Sequence, residues 1–588
     1  MPPLKPAVDG LPELQEVSGP NLRSLLDDKR WVLKAATQPG DVTGACGVAA
    51  QLLFLRASGS RERFLQPTPF HSPSLLSGVK DAVERLVQAL QRQEQVFIHG
   101  DFDVDGITGT ALFYLGLRQL GFSKIKVDVS DRQRGHGPAD QVVQRLIAEK
   151  FSLLVTVDCG ISDVEAVTAL RAAGIDTLVT DHHQPPTDLP PAVALINPKL
   201  PGCRYPNPDL AGVGVAFQLL RALYERLDCP LEQAHFLDLV MLGTVADLVP
   251  LVRNGERENH ELVRSGLEQV AQGKGNVGLQ TLMKTLGLNP APPSAGQIGF
   301  IVAPHLNAAN RVGDPRVALL LLTTRNQGLA QYLAETLIAY NQDRKLAQTQ
   351  LCHVVDQQLE GAQRPLAQQG VVWLEGTRWN PGILGLVASH VADEHGLPVF
   401  LVSREGAISR ASARSVGDFN LIRCLQHCGQ TFLRYGGHAM AAGFTIRTAH
   451  LPLAKEQILA YARDHARQGN GVVHEIDLTL APEQVGLTLH EEIQQLAPFG
   501  VGHPTPRFLL PRVSLSNLVT VGEGKHLKCL ARANGCTFEA IGFDMGSHLS
   551  CLMDAQEVGL VFRVGRNDWL GQTKVQLELA DVVEPTDA

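Results

Sequence analysis

The chain has 588 residues, 44% hydrophobic and 19% charged, with a formal net charge of −8. That length exceeds one hydrophobic core, and a spacing of roughly 150 residues per domain predicts about three or four domains. The composition excludes wholesale disorder. The acidic balance excludes a protein that coats nucleic acid by bulk positive charge, though not one with a local basic groove. No apolar run of about 18 residues is present, so no membrane span is expected. The opening "MPPLKPAVDGLPELQEV" lacks a basic stretch followed by an apolar one, so no signal peptide is expected. Ten cysteines are scattered through the chain, which fits a reducing, cytoplasmic compartment. No confident element is expected before Trp31.

From there the pattern becomes regular. Val79, Ala82, Val83, Leu86, Val87 and Leu90 fall at three-to-four spacing and predict an amphipathic helix over 79–93. "QVFIH" (95–99) reads as a buried strand, 107–121 as a helix ended by Gly121, and 124–130 as a strand. A helix over 139–150, a strand over 152–158, a helix over 162–174 with Ser162 as N-cap and a strand over 176–181 continue the alternation. Strands alternating with helices mean a parallel sheet. A long uninterrupted helical pattern spans 328–361 and suits a connector. A second α/β unit runs from about 370 to 447. From about 475 to 585, short alternating runs separated by turn residues read as an all-β module, plausibly a five-stranded barrel.

The acidic residues concentrate at strand ends. "HGDFDVDG" places His99, Asp101, Asp103 and Asp105 after one strand, "TVDCG" places Asp158 after the next, and "TDHH" places Asp181, His182 and His183 after a third. The carboxyl ends of parallel strands face one crevice. Taken singly, such an Asp is more often a cap or turn residue. Jointly, crowded carboxylates require a counter-charge, and oxygen ligands with imidazole suit Mn²⁺ or Mg²⁺ better than a thiolate zinc site. Asp247, in "MLGTVADLVPL", is a fourth candidate. Cys424, His427 and Cys428 lack a second pair and read as a helix with two half-buried thiols. "GVGVAF" lacks the third glycine of a dinucleotide fingerprint, and no Gly-x4-Gly-Lys-Ser/Thr is present, so no ATP requirement is expected.

"HGDFDVDGITGT", "TVDCGIS", "VTDHHQPP" and "GTVADLVPL" resemble the four motifs of the DHH phosphoesterase superfamily. "AGVGVAFQLL", "HLNAANRVGDP", "WNPGILGLVASH", "SARSVGDFNL" and "YGGHAMAAGF" follow in the order of its RecJ family of single-strand-specific exonucleases, and the likeness runs from about Phe64 into the β module. The resemblance implies an N-terminal extension (1–75) packing on a DHH catalytic domain (76–325), a connector helix (326–362), a smaller α/β, substrate-binding DHHA1 domain (363–450) and an OB-like barrel (451–588) that binds nucleic acid as a single-strand platform. It implies two divalent ions, Mn²⁺ or Mg²⁺. Asp158 would bridge them, Asp103 with His99 or Asp101 would hold one, and Asp105, His182 and Asp247 the other. His183 would face the scissile phosphate, as acid or as charge stabiliser, with Asp181 orienting a histidine. Arg132 or Arg134, together with Asn307, Arg311, Ser412, Arg414, Gly436, Gly437 and His438, would contact the strand.

Several positions depart from the family pattern. "SDRQRGHG" has His136 where tyrosine is usual, "HLNAANR" has His305 and Asn310 for Arg and Gly, and "WNPG" has Asn380 for His. The implied activity is 5′→3′ hydrolysis of single-stranded DNA to mononucleotides in repair and recombination, by a monomer of the bacterial cytoplasm. Single-strand-binding protein and a RecQ-type helicase are the implied partners. A phosphodiesterase of short oligonucleotides or cyclic dinucleotides, and a catalytically silent binding protein, are the competing readings.

Overall fold

Two short strands, β1 (Asn21–Arg23) and β2 (Arg30–Leu33), come first in the described chain. The computed structural model describes residues 21–586 except 28, 35–47, 57–63, 133–134, 232–235, 289–292, 361–369, 466–472 and 570–571. Residues 67–469 with 498–504 form one unit, and residues 1–66, 470–497 and 505–588 form another.

In the larger unit the predicted alternation becomes a five-stranded sheet of β3 (Val96–Gly100), β4 (Ile125–Val129), β5 (Leu153–Val157), β6 (Asp176–Thr180) and β7 (Ala194–Ile196). All pairings are parallel and the order is β4-β3-β5-β6-β7. β3 and β5 are buried throughout because helices cover both faces. Helices Asp140–Ala148 and Val164–Ala172 pack Val143, Leu146 and Leu170 against Phe97 and Leu154. On the opposite face lie helices Val79–Arg92, Val104–Gln119 and Gly212–Arg226. The chain leaves β3 to one side for β4 and returns on the other as β5. The carboxyl ends of β3 and β5 therefore flank a topological switch point, the standard place for a ligand crevice.

One local expectation is corrected. The helix expected to be capped by Ser162 starts at Val164, with Asp163 in the cap position and no side-chain capping bond. The preceding residues are used otherwise: Gly160 has φ 108, and Ile161 N–H donates to Asp181 Oδ2 at 3.0 Å.

Helix Gln327–Glu360 is 34 residues long. Its early residues Ala330, Leu333, Ala334 and Leu337 enter the core of the first sheet, and Leu351 and Val355 enter a core on the second. The second sheet contains β8 (Val372–Thr377), β9 (Val399–Glu405), β10 (Ile408–Arg414), β11 (Arg434–Gly437) and β12 (Ala441–Arg447), in the order β11-β12-β10-β9-β8. Only β8 and β9 pair in parallel. Cys424 and Cys428 are fully buried on helix Leu421–His427 and its cap. Helix Leu451–His465 packs Leu451, Ala454, Ile458 and Ala462 into the same core as Phe419, Cys424 and Phe444. The expected boundary at 450 therefore cuts a helix away from the sheet it covers.

In the other unit, β13 (Val473–Ile476) and β14 (Leu478–Thr479) lead to β15 (Phe508–Val521), β16 (His526–Ala533), β17 (Cys536–Gly542), β18 (Val558–Trp569) and β19 (Gln572–Val583). The order β15-β16-β17-β19-β18 closes by pairing of β18 with β15, giving the expected five-stranded, OB-like barrel. β2 pairs in parallel with β13, and Trp31 Nε1 donates to Asp581 Oδ2 at 2.6 Å. The N-terminal segment, expected to pack on the catalytic domain as a whole, is divided. β1 and β2 belong with the barrel, while His71, on whose backbone N–H Glu258 accepts at 2.9 Å, packs in the larger unit. Alternation along a strand sets its faces but not its distant partner, so the sequence was silent here.

Candidate metal centre

The turn after β3 is built by its own carboxylates. Asp103 caps helix Val104–Gln119, its Oδ1 accepting from the N–H groups of Asp105 (3.0 Å) and Gly106 (3.2 Å). Gly106 is required, because a Cβ there would lie 2.6 Å from the Asp101 backbone. Asp105 accepts from Gly212 N–H at 2.6 Å and Val213 N–H at 2.8 Å, the first turn of helix Gly212–Arg226. Unpaired N–H groups and the helix dipole stabilise negative charge at that end. Gly212 also admits Asp158, whose Cβ would be 2.5 Å from a Cβ at position 212.

Asp158, immediately after β5, sits in the left-handed region at φ 61, which turns its carboxylate into the crevice. Asp181, after β6, accepts four bonds. Its Oδ1 takes His182 N–H (2.7 Å), His183 N–H (3.1 Å) and His183 Nδ1 (2.7 Å), and its Oδ2 takes Ile161 N–H. Asp247 is the C-cap of helix Leu237–Ala246. His182 Nε2 lies 3.2 Å from Asp158 Oδ1, 3.5 Å from Asp247 Oδ2 and 3.8 Å from Asp105 Oδ2.

Three sets of ligand atoms converge within 4.8 Å: Asp101, Asp103 and Asp158; Asp105, His182 and Asp247; and Asp158, His182 and His183. Burial, then repulsion from Asp105, pushes Asp158 far above the usual carboxylate range, and burial with Asp247 does the same to Asp105. Burial and Asp103 push Asp247 up to about 7. Burial and the neighbouring His183 push His182 down to about 3, so its ring is neutral and able to ligate. Asp181 behaves oppositely: burial opposes it, but its bonds from His183 hold it below the usual value. Against burial, Asp181 raises His183 to about 9.

Asp101 Oδ1, Asp158 Oδ1 and His182 Nε2 are buried with no hydrogen-bond partner. Buried acceptors without donors, in a set of oxygens and imidazole, fit hard divalent cations. The nearby thiol of Cys159 is turned away onto His99 O at 3.7 Å.

His99 stands apart. Its Nε2 lies 3.2 Å from Gly137 O and 3.1 Å from Ser130 Oγ, and it is in none of the three sets, whereas Asp101 is. A contact of the site that sequence reasoning missed is made by His136, whose Nδ1 lies 2.9 Å from Asp101 Oδ2 and whose ring packs 4.8 Å from Phe102. Its replacement of a tyrosine was visible; its aim at Asp101 was not.

The arginines form a second cluster. Arg132 lies over the Phe102 ring at 4.5 Å and donates to Asn310 Oδ1 at 3.0 Å, while Asn310 donates to Asn307 Oδ1 at 3.2 Å. Arg311 donates to Gly382 O at 2.8 Å, and Arg414 to Ala413 O (2.8 Å) and Ser412 Oγ (3.3 Å). Burial, then Arg132, Arg414 and Arg344, pushes Arg311 down to about 9. Among the described residues none of Arg132, Arg311 and Arg414 has a carboxylate ion pair. Mutually repelling, desolvated guanidiniums that make no carboxylate ion pair are suited to an anion. Arg132 also feels Asp103 and Asp101, so the arginine cluster lies within electrostatic range of the carboxylates. Arg134 lies outside the described residues.

On the edge strand β11, Gly436 and Gly437 are exposed, and Gly437 has φ 131. The His438 ring lies parallel to that of His183, with centroids 6.5 Å apart. Asn380 caps helix Pro381–His395 and donates to Arg311 O at 3.3 Å. His305 is turned onto Ile301 O at 2.7 Å.

Comparison with known proteins agrees with this arrangement. The DHH family, N-terminal domain, matches residues 95–244, the DHHA1 domain 367–465 and the RecJ OB domain 476–581. The chain is 32% identical over 517 residues to the single-stranded-DNA-specific exonuclease RecJ of Bacillus subtilis, covering 87% of this chain and 64% of that one. It is 33% identical over 544 residues to the protein of the same name from Haemophilus influenzae, covering 88% of this chain and 92% of that one. The crystal structure of RecJ in complex with Mn²⁺ from Thermus thermophilus superposes with a TM-score of 0.77 at 30% identity, covering 92% of this chain and 76% of that one.

Proposed function

Because the chain belongs to the RecJ family of single-stranded-DNA-specific exonucleases, we propose that it is a metal-dependent exonuclease that hydrolyses single-stranded DNA from the 5′ end and releases 5′-mononucleotides. The observation that carries this reading is the sharing of ligands: Asp158 belongs to two of the converging sets and His182 links Asp158 to Asp105 and Asp247. Asp101, Asp103 and Asp158 would hold one divalent cation, and Asp158, Asp105, His182 and Asp247 a second, Mn²⁺ or Mg²⁺. Such a pair supplies a nucleophile at neutral pH and neutralises charge building on the attacked phosphate.

The chain's own residues do the rest. His183, anchored by Asp181, lies beside His438 and can place a proton on the departing 3′ oxygen. The guanidiniums of Arg132, Arg311 and Arg414, with Ser412 and Asn307, receive a terminal 5′-phosphate beside the carboxylates. Gly436 and Gly437 let the strand approach the β11 backbone closely. The reading includes a monomer working in the bacterial cytoplasm in DNA repair and recombination, with single-strand-binding protein and a RecQ-type helicase presenting the strand. Among the described residues no helix is long and apolar enough to cross a membrane.

The test is degradation of a long 5′-labelled single strand with and without Mn²⁺. Early release of labelled mononucleotide is expected. Cleavage confined to di- to tetranucleotides, or turnover unaffected by chelator, would overturn the reading.

A further inference from the structure

Beside the arginine cluster, the larger unit holds a cavity of about 630 Å³. That volume falls within the roughly 300–1,000 Å³ typical of small-molecule sites. His99, Ser130 and Asn310 form its buried floor, and Asp131, Arg316 and Asn380, all exposed, form its mouth. Among the described residues, none of the carboxylates or imidazoles in the three converging sets lines it. It meets the arginine cluster through Arg311, which lines it, and through Asn310, which lines it and also accepts from Arg132.

The walls are fixed by local bonds. Asn380 caps helix Pro381–His395 by accepting from Gly382 N–H at 2.8 Å, and Asp314 accepts from Arg316 N–H at 3.0 Å. The charges along the way out are matched. Asp314 pairs with Arg316 at 2.8 Å and Asp128 with Arg145 at 3.3 Å. Among the described lining residues the cations are Arg311 and this paired Arg316. A phosphate is therefore held at the arginine cluster and not along the cavity towards its mouth.

The order of events on a strand gives this space a use. In the proposed reading the 5′-phosphate rests on the arginines and the scissile ester on the cations. After the cut, the remaining strand still fills the crevice on the 3′ side, so the freed nucleotide has no way back past it. Its open side is the side of the arginines, where the cavity begins. We infer that this cavity is the exit through which the nucleoside 5′-monophosphate leaves while the strand stays engaged. The inference rests on the proposed exonuclease reading and adds to it the route of the product. A closed receptacle for the 5′ end of the uncut strand would instead have its mouth sealed, whereas this one opens at Asp131, Arg316 and Asn380.

The test uses the full chain with Mn²⁺ and a long 5′-phosphorylated strand whose first base is 2-aminopurine. Rapid quench reports the first cut, and the rise in 2-aminopurine fluorescence reports escape of the nucleotide into solvent. Ala139 lines the cavity, is half-buried and makes no side-chain capping bond. Ala139→Trp is expected to leave the rate of the first cut unchanged and to slow escape roughly tenfold, so that release limits steady-state turnover. Ala139→Ser, which leaves the space open, is expected to match wild type. Arg316→Glu changes a side chain that is 67% exposed, so folding is not at stake. Its added negative charge at the mouth is expected to slow escape, and the delay to shrink as salt is raised. Escape at the wild-type rate in both Ala139→Trp and Arg316→Glu overturns the exit and leaves the exonuclease reading standing. A first cut slowed as much as escape also overturns it, because the cavity would then hold the uncut end. A wild-type chain that releases no 2-aminopurine mononucleotide overturns the exonuclease reading, and the exit with it.

Discussion

Asp181 and His183 are joined twice: the same carboxylate oxygen accepts the backbone N–H of His183 at 3.1 Å and its ring Nδ1 at 2.7 Å. The ring orientation is therefore fixed by a residue only two positions away, and its other nitrogen is left for the crevice. An outer partner of this kind typically contributes 10–100-fold to activity or metal affinity. Asp181→Asn is expected to lower kcat by roughly that factor with little change in strand Kd. An unaltered kcat would remove Asp181 from the mechanism.

Asp158→Asn separates charge from shape. The substitution removes the ligand shared by two sets while keeping a side chain that fits at φ 61. Turnover is expected to fall to background. In chelator the variant should melt higher than wild type, because a buried carboxylate repelled by Asp105, Asp103 and Asp101 has been neutralised. Calorimetry in EDTA checks the second outcome independently of activity, and a lower melting temperature would contradict the crowded-carboxylate account.

His136 Nδ1 lies 2.9 Å from Asp101 Oδ2, a contact that would position that carboxylate. His136→Ala is expected to weaken Mn²⁺ binding by about tenfold by isothermal titration. His136→Tyr, which can still donate through its hydroxyl, should recover part of the loss. Equal affinity in all three proteins would make the contact incidental.

Arg414→Ala should weaken binding of a 5′-phosphorylated strand and reduce its salt slope by about one. A strand lacking the 5′-phosphate should show a smaller loss. An unchanged slope would take Arg414 out of the phosphate path.

Asp477 anchors the barrel unit through Arg56, with both side chains under a tenth exposed. Burial opposes its charge, but Arg56 and its hydrogen bonds hold its pKa below the ordinary value. The folded value being the lower one, the stabilisation is complete above the unfolded carboxylate value of about 4. It is lost as pH falls through the folded value. Asp477→Asn should therefore lower the unit's melting temperature at pH 7, where Arg56 is left buried without its acid at a cost of about 3–5 kcal/mol. The deficit should shrink as pH drops below about 4. A deficit independent of pH would assign the effect to packing.

The sequence by itself determined the alternation, the parallel sheet and the strand-end placement of Asp101–Asp105, Asp158 and Asp181–His183, because these follow from period and from the geometry of parallel strands. The long connector and the barrel were legible for the same reason: each is written in a local pattern. Tertiary structure alone decided which neighbour a side chain meets. It turned His99 toward Ser130 and Gly137, brought Asp101 together with Asp103 and Asp158, aimed His136 at Asp101, placed Arg344 of the connector within electrostatic range of Arg311, carried helix Leu451–His465 back onto the second sheet, and paired β2 with β13 across more than four hundred residues. Spacing along the chain fixes which face a side chain occupies. Contacts between distant segments depend on packing and register, which no local pattern encodes.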